Sequence, residues 1–295
     1  MHLTKIFYEV DEFCKQFEKQ FERRLLSVGE DKRKRAFSLT LSEIMTIMIY
    51  YHESGYKTFK DYYEKHVMIY MRGDFKALVS YNRFIELRQK ALLPLLIFLQ
   101  LNGLRKCTGI SYIDSFPLEV CHVKRASSHK TFKGIAQKGK SSMGWFYGFK
   151  LHLVINHQGE VVAFCITPGN IADNNEGVLL KLTKKLFGKL FGDRGYLINK
   201  ELFKKLYSNG IHLVTKIRKN MSNKLVELKD KLLLRKRGVI ESVGNILKES
   251  ISIEHSRHRS LAGFLCHVLA SLVTYCFREK KPSIAGCNNV VGLIC

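Results

Sequence analysis

Gly109-Ile-Ser-Tyr-Ile-Asp-Ser-Phe116 decides how this chain is read. Upstream of it the apolar residues recur at helical spacing, whereas here they form the short, β-branched and aromatic run of a buried strand. Asp114 closes that run, and an ionised carboxylate in a buried strand is costly unless a cation meets it. Residues 148–156 and 160–167 predict two further strands, joined by a turn at Asn156 to Gly159 suited to a hairpin. A helical pattern at 174–186 follows, then a short strand at 189–192 that delivers Asp193, a helix at 200–208, a strand at 211–217, and helices at 239–248 and 261–277.

The order βββαβαβα predicts a mixed α/β sheet, its first three strands antiparallel and the rest joined by crossover helices. That is the order of a ribonuclease-H-like domain. Before it, the first hundred residues read as a small all-α domain. Thr40 and Glu43 form a capping box ahead of an apolar run, and further helical patterns occupy 59–67 and 81–101, the last capped by Ser80. The expected division is a helical, DNA-binding domain at 1–105, a catalytic domain at 106–283 and an atypical tail at 284–295. The helical part carries the basic run Lys32-Arg-Lys-Arg35. Tyr81-Asn-Arg83 opens a helix in the manner of a DNA-reading one, which makes Arg83 a candidate DNA contact. An ordinary bundle with a solvated basic face explains the same residues.

Among the 295 residues, 49 Lys and Arg face 26 Asp and Glu, a formal charge of +23. Such an excess repels itself unless a polyanion covers the surface, and it suits salt-sensitive phosphate binding. Disorder is excluded, since 46% of residues are hydrophobic and 25% charged. The bases are spread along the chain and do not gather on one amphipathic helix, which disfavours a membrane surface. The uncharged stretch 261–277 is short of a membrane span and contains His267, Ser271 and Thr274, so it reads as a buried helix. Eight cysteines without a CxxC pair, and no secretory signal, imply reduced thiols in a cytoplasm.

Asp193 sits in Phe191-Gly-Asp-Arg-Gly-Tyr196 at a strand end, where ligands lie in open α/β sheets, and its glycines permit close approach. Glu241 falls on a helix whose Arg237, Glu241 and Lys248 share one face. Three acids on one cleft repel one another, and two Mg²⁺ ions, or Mn²⁺, relieve that repulsion while accepting substrate phosphate oxygens. Taken singly, the aspartates also read as turn or cap residues, and Glu241 as a surface partner of Arg237 or Lys248. Residues 121–150 hold seven Lys or Arg and no acid, interleaved with Phe132, Trp145, Phe146 and Tyr147. This suits a phosphate groove with stacking platforms, in which Lys124, Arg125, Lys130, Lys133 and Trp145 contact DNA; the same aromatics also suit a core. His255 and His258 near Cys266 lack the ligand count of a zinc site. His152 is open between cleft lining and a core histidine. No phosphate-binding loop of the Walker type is present.

Taken with Leu39-Thr-Leu-Ser-Glu43, Ser80-Tyr-Asn-Arg-Phe84, Gly148-Phe-Lys-Leu-His152 and Ile253-Glu-His-Ser-Arg-His-Arg259, these motifs resemble the DDE transposases of bacterial insertion sequences, specifically insertion sequence family 982. The likeness spans nearly the whole chain. It implies Asp114, Asp193 and Glu241 as the catalytic and metal-binding acids. It also implies a ribonuclease-H-like fold, and a Mg²⁺-dependent polynucleotidyl transferase and endonuclease in the bacterial cytoplasm, associated with the nucleoid. Its partners would be double-stranded DNA, both terminal inverted repeats and target, with the enzyme a homodimer on the DNA and no membrane involved. The related family 4 group has a Tyr, Arg, Glu, Lys signature, met here at Arg237, Glu241 and Lys248, while Leu234 stands where it has Tyr. Arg237 and Lys248 are therefore candidate DNA contacts. The rival readings are a repair or structure-selective nuclease of the same fold and a catalytically degenerate DNA-binding protein.

Overall fold

The computed structural model describes residues 2–27, 38–75, 77–141, 143–216, 227–254 and 258–284. In chain order it contains α1 (Leu3–Ser27), α2 (Leu41–Tyr51), α3 (Phe59–Tyr62), α4 (Met68–Tyr70), α5 (Tyr81–Leu87) and α6 (Leu92–Phe98). These are followed by β1 (Ile110–Cys121), β2 (Gln137–Ser141), β3 (Gly144–Asn156), β4 (Val161–Pro168), α7 (Glu176–Thr183) and β5 (Gly188–Gly192). Then come α8 (Lys200–Ser208), β6 (Ile211–Thr215), α9 (Leu228–Arg235), α10 (Gly238–Asn245) and α11 (Leu261–Phe277). The chain forms two compact units: Met1–Gly103 with Glu249–Ile253 and His258–Arg278, and Leu104–Lys248 with the remainder.

The first unit is helical over its described residues. Thr40 caps α2 in a complete capping box with Glu43, and the Ser80 hydroxyl accepts from the Arg83 amide at the start of α5. By its contacts α11 groups with these helices and not with the segment that precedes it in the chain. It is apolar nearly all round and buries thirteen residues. Phe277 packs on Phe98 of α6, and the Thr274 hydroxyl donates to the carbonyl of Ile49 in α2. No helix among the described residues is long and apolar enough to cross a membrane.

The second unit is a mixed α/β domain built on one sheet. β3 lies antiparallel to β1 on one edge and to β4, then β2, on the other, while β5 and β6 extend the sheet from β1 in parallel. The crossovers through α7 and α8 supply the length that parallel pairing requires. The β3–β4 hairpin closes through Gly159, whose amide donates to the Asn156 carbonyl and whose φ of 72° suits glycine. One strand was not foreseen: in chain order β2 falls between β1 and β3, though in the sheet it pairs only with β3, so the succession becomes ββββαβαβα. Its sequence, Gln-Lys-Gly-Lys-Ser, has no apolar alternation to announce it.

The two faces of the sheet are covered differently. Ile113 and Val154 share one face with Leu179 and Leu182 of α7 and Leu202 and Leu206 of α8, a continuous apolar core. By alternation Tyr112, Asp114 and Phe116 point to the other face. There the Tyr112 hydroxyl donates to the Leu233 carbonyl of α9, and Phe116 lies against Gly244 of α10, leaving no room for a Cβ. This contact sets how closely α10, which carries Glu241, approaches β1.

Candidate active site

β1 and β5 pair in register from Ile110↔Lys189 to Tyr112↔Phe191, after which β5 ends at Gly192. Two residues further along that register lie Asp114, on the face covered by α9 and α10, and Asp193, the first residue beyond β5. Asp193 caps the tight turn Arg194–Tyr196, its Oδ1 accepting from the Gly195 amide at 2.8 Å. A Cβ on Gly195 would lie only 2.9 Å from that same oxygen and would push on the Asp193 carboxylate.

Glu241 completes the set from α10, but through an intermediary. Arg237 donates from Nη2 to Glu241 at 2.7 Å and from Nη1 to Asp114 at 3.4 Å. One guanidinium thus spans two of the acids. Asp114 has only 19% of its side chain exposed. Burial foremost, with the charges of Asp193 and Glu241 beside it, pushes its carboxyl up from 3.8 to about 6, against the pull of the Ser115 amide and Arg237. Arg237 therefore only partly offsets the excess negative charge, and a divalent cation suits this oxygen donor set. Among the described residues no three His, Cys, Asp or Glu side chains already converge on one metal-sized position. With Glu241 56% exposed and tied to Arg237, closing a three-acid site requires that ion pair to part.

A fourth carboxylate escaped sequence reading. Asp173, in the loop between β4 and α7, accepts from the Ser115 hydroxyl at 2.7 Å and pairs with Lys150 of β3 at 3.0 Å. Lys150 also donates to the Ile171 carbonyl, and Asn174 ties the same loop to the Leu197 carbonyl. The residue after Asp114 is thereby anchored from the opposite face of the sheet. In the polar run Asn170-Ile-Ala-Asp-Asn-Asn175 nothing distinguishes Asp173 from a helix-capping residue. Tyr196 is buried beside this group, and burial with the charges of Asp114, Asp173 and Asp193 holds its hydroxyl protonated.

The basic residues divide. Lys124, Arg125, Lys130 and Lys133 are all exposed, with no carboxylate partner among the described residues. Lys248 follows Glu241 along the same helical stretch and finds another partner. The helix passes into a π-helical turn, Ile246–Ser250, and Lys248 pairs with Glu254 at 2.8 Å. Arg83, in the helical unit, pairs with Glu86. Of the proposed stacking aromatics, Phe132, Phe146 and Tyr147 are buried and serve the core, whereas Trp145 is exposed. His152 is a core histidine. It is buried, bonded through Nε2 to the Thr167 hydroxyl at 2.9 Å, and its pKa falls to about 4 chiefly through desolvation. His258 packs against the rings of His267 and Phe264, while His255 and the Lys32–Arg35 run lie outside the described residues.

Two strand-end aspartates and a helix-borne glutamate beside an α/β sheet define a candidate phosphoryl-transfer site. Residues 104–261 match the family described as a transposase DDE domain, and the chain belongs to that family. Two solved structures, a Mos1 transposase paired-end complex with left transposon end and a Mos1 strand transfer complex, are each similar at 14% identity. The first match covers 89% of this chain and 86% of the other at a TM-score of 0.25, the second 90% and 88% at 0.23. No curated protein matches the chain.

Proposed function

We propose that this transposase is a Mg²⁺-dependent enzyme of the insertion sequence family 982 kind, with a ribonuclease-H-like catalytic domain. It binds the terminal inverted repeats of its element, cuts DNA there and joins the freed 3′ ends to target DNA. The observation that carries this reading is that Asp114 and Asp193 follow the end of the β1–β5 parallel register together, with Asp114 bridged to Glu241 through Arg237. Asp114, Asp193 and Glu241 would hold two Mg²⁺ ions, or Mn²⁺, which supply Lewis acidity to the attacking and leaving oxygens of an in-line displacement. Arg237, released from the acids, is then free to meet the scissile phosphate with its planar fork of donors. The Ser115, Asp173 and Lys150 network holds the backbone beside Asp114 still, which keeps its carboxylate where chemistry needs it. Lys124, Arg125, Lys130 and Lys133 bind flanking phosphates, Lys248 adds a backbone contact, and Arg83 serves in a helical DNA-binding unit. A homodimer suits two inverted ends, and the working place is the nucleoid in a bacterial cytoplasm.

The test incubates wild type, Asp193→Asn and Glu241→Gln with labelled duplexes bearing the element's own ends, with Mg²⁺ or with chelator. Joined products that require Mg²⁺ and both acids are expected. Cutting without joining would assign a nuclease instead, and end binding without chemistry a degenerate binder.

A further inference from the structure

The β2–β3 hairpin has two unlike faces. On one, Gly139 and Phe146 pair across the strands and pack inward, where a Cβ at Gly139 would strike both the Phe146 ring and the carbonyl of Gly169. On the other, Lys140 pairs with Trp145 and Lys138 with Tyr147. Lys138, Lys140 and Trp145 therefore emerge together, while Tyr147 is buried with its hydroxyl bonded to the Phe132 carbonyl. Trp145 is 63% exposed and Met143, at the hairpin end, 95%. A large aromatic beside a bare thioether on a hairpin tip is an unfavourable surface for a monomer in water.

Three features give this surface its partner. First, it is basic: Lys138 and Lys140 join Lys124, Arg125, Lys130 and Lys133 in a segment, 121–150, without a carboxylate. Second, it lies on the catalytic face. Leu153 of β3 pairs with Asp114, and residues 145, 147, 149, 151 and 153 point the same way. Third, it stands well away from Asp114, at the exposed end of a side of β3 whose residues Tyr147, Phe149, Leu151 and Leu153 are buried. Eight residues separate Trp145 from Leu153, about 27 Å at ~3.4 Å per residue. A duplex advances roughly eight base pairs over that length at ~3.4 Å per step. A two-stranded ribbon also fits the major groove.

We propose that the β2–β3 hairpin is a DNA-contacting arm, in which Lys138 and Lys140 bind phosphates and Trp145, with Met143 beside it, stacks on a base of the duplex held at the Asp114 site. The indole face offers sequence-tolerant stacking, and the lysines on the same face fix the backbone against it. The arm rests on the reading of the chain as a transposase acting on DNA, and it adds a contact remote from the scissile phosphate.

Trp145 is the chain's single tryptophan among 13 tyrosines, so fluorescence of the full-length protein excited at the red edge, where the indole absorbs and tyrosine does not, reports on this position alone. A duplex bearing the element's end is titrated in while its own label reports binding by anisotropy. Quenching of Trp145 in step with binding is expected. Trp145→Ala should weaken the complex about 5- to 100-fold, with Trp145→Phe retaining most of the affinity. Binding with unchanged tryptophan emission and an unaffected Trp145→Ala would overturn the arm while leaving the transposase reading intact. Failure of any duplex to bind would overturn both. Emission that changes with protein concentration in the absence of DNA would make this face a contact between two copies of the chain and so refute the arm.

Discussion

Asp114→Asn should make the metal-free protein more stable, even though it should also abolish activity. In the folded chain the Asp114 carboxyl is raised from 3.8 to about 6, with burial as the leading cause. A group whose folded pKa is raised favours the native state in its protonated form, so its ionisation costs stability as pH climbs from about 4 through 6 and the full cost stands above that. A rise of that size corresponds to about 3 kcal/mol at ~1.36 kcal/mol per tenfold, an upper bound because solvent reaches part of the side chain. Asparagine keeps the shape and carries no charge, and Arg237 retains Glu241 as its partner. In chelator at pH 7.5 the variant should melt up to about 6–12 °C above wild type, the gap closing as pH falls toward 4. Added Mg²⁺ should raise the melting temperature of wild type and not of the variant. Equal stabilities at pH 7.5, or a gap that persists undiminished at pH 4, would refute the account of Asp114 as a carboxylate strained by burial and like charge.

Three further perturbations probe the frame and the DNA surface. Gly244→Ala forces a methyl group into the Phe116 ring and should destabilise the catalytic unit by ~1–3 kcal/mol in urea unfolding, with partial recovery when combined with Phe116→Leu. Lys189 reaches Asp230 at 2.6 Å, and with the Asp230 side chain only 4% exposed, Lys189→Met should cost about 3–5 kcal/mol by leaving a buried carboxylate unpaired; Lys189→Met with Asp230→Leu should regain most of it. Replacing Lys124, Arg125, Lys130 and Lys133 together by Ala should lower the slope of log K against log salt for duplex binding by about 3–4, and an unchanged slope would remove these residues from the phosphate contacts.

Within the chain, the local signals were legible wherever they depended on neighbours in sequence. Apolar runs marked β1, β3, β4, β5 and β6, the Thr40–Glu43 box marked α2, and Asp193 stood out because it follows a short strand between two glycines. What reading along the chain could not reach was set by contacts between distant segments. The β1–β3 register places Asp114 and Leu153 on one face and, by alternation along β3, Trp145 on that side too, while Tyr147 on the same side and Phe132, equally aromatic in the sequence, are covered by packing. Alternation assigns each strand residue a side, but only packing says which side is wet. Arg237 spans Asp114 and Glu241 across 123 positions of separation from the first, and Asp173 reaches Ser115 across 58; no local pattern encodes such pairs. The same holds for α11, whose all-round apolar surface called for burial without saying against what. Composition and periodicity determined which elements form and which chemistry is present; tertiary packing alone decided which carboxylates meet, because the free energy of bringing like charges together is a property of the assembled site and not of any segment within it.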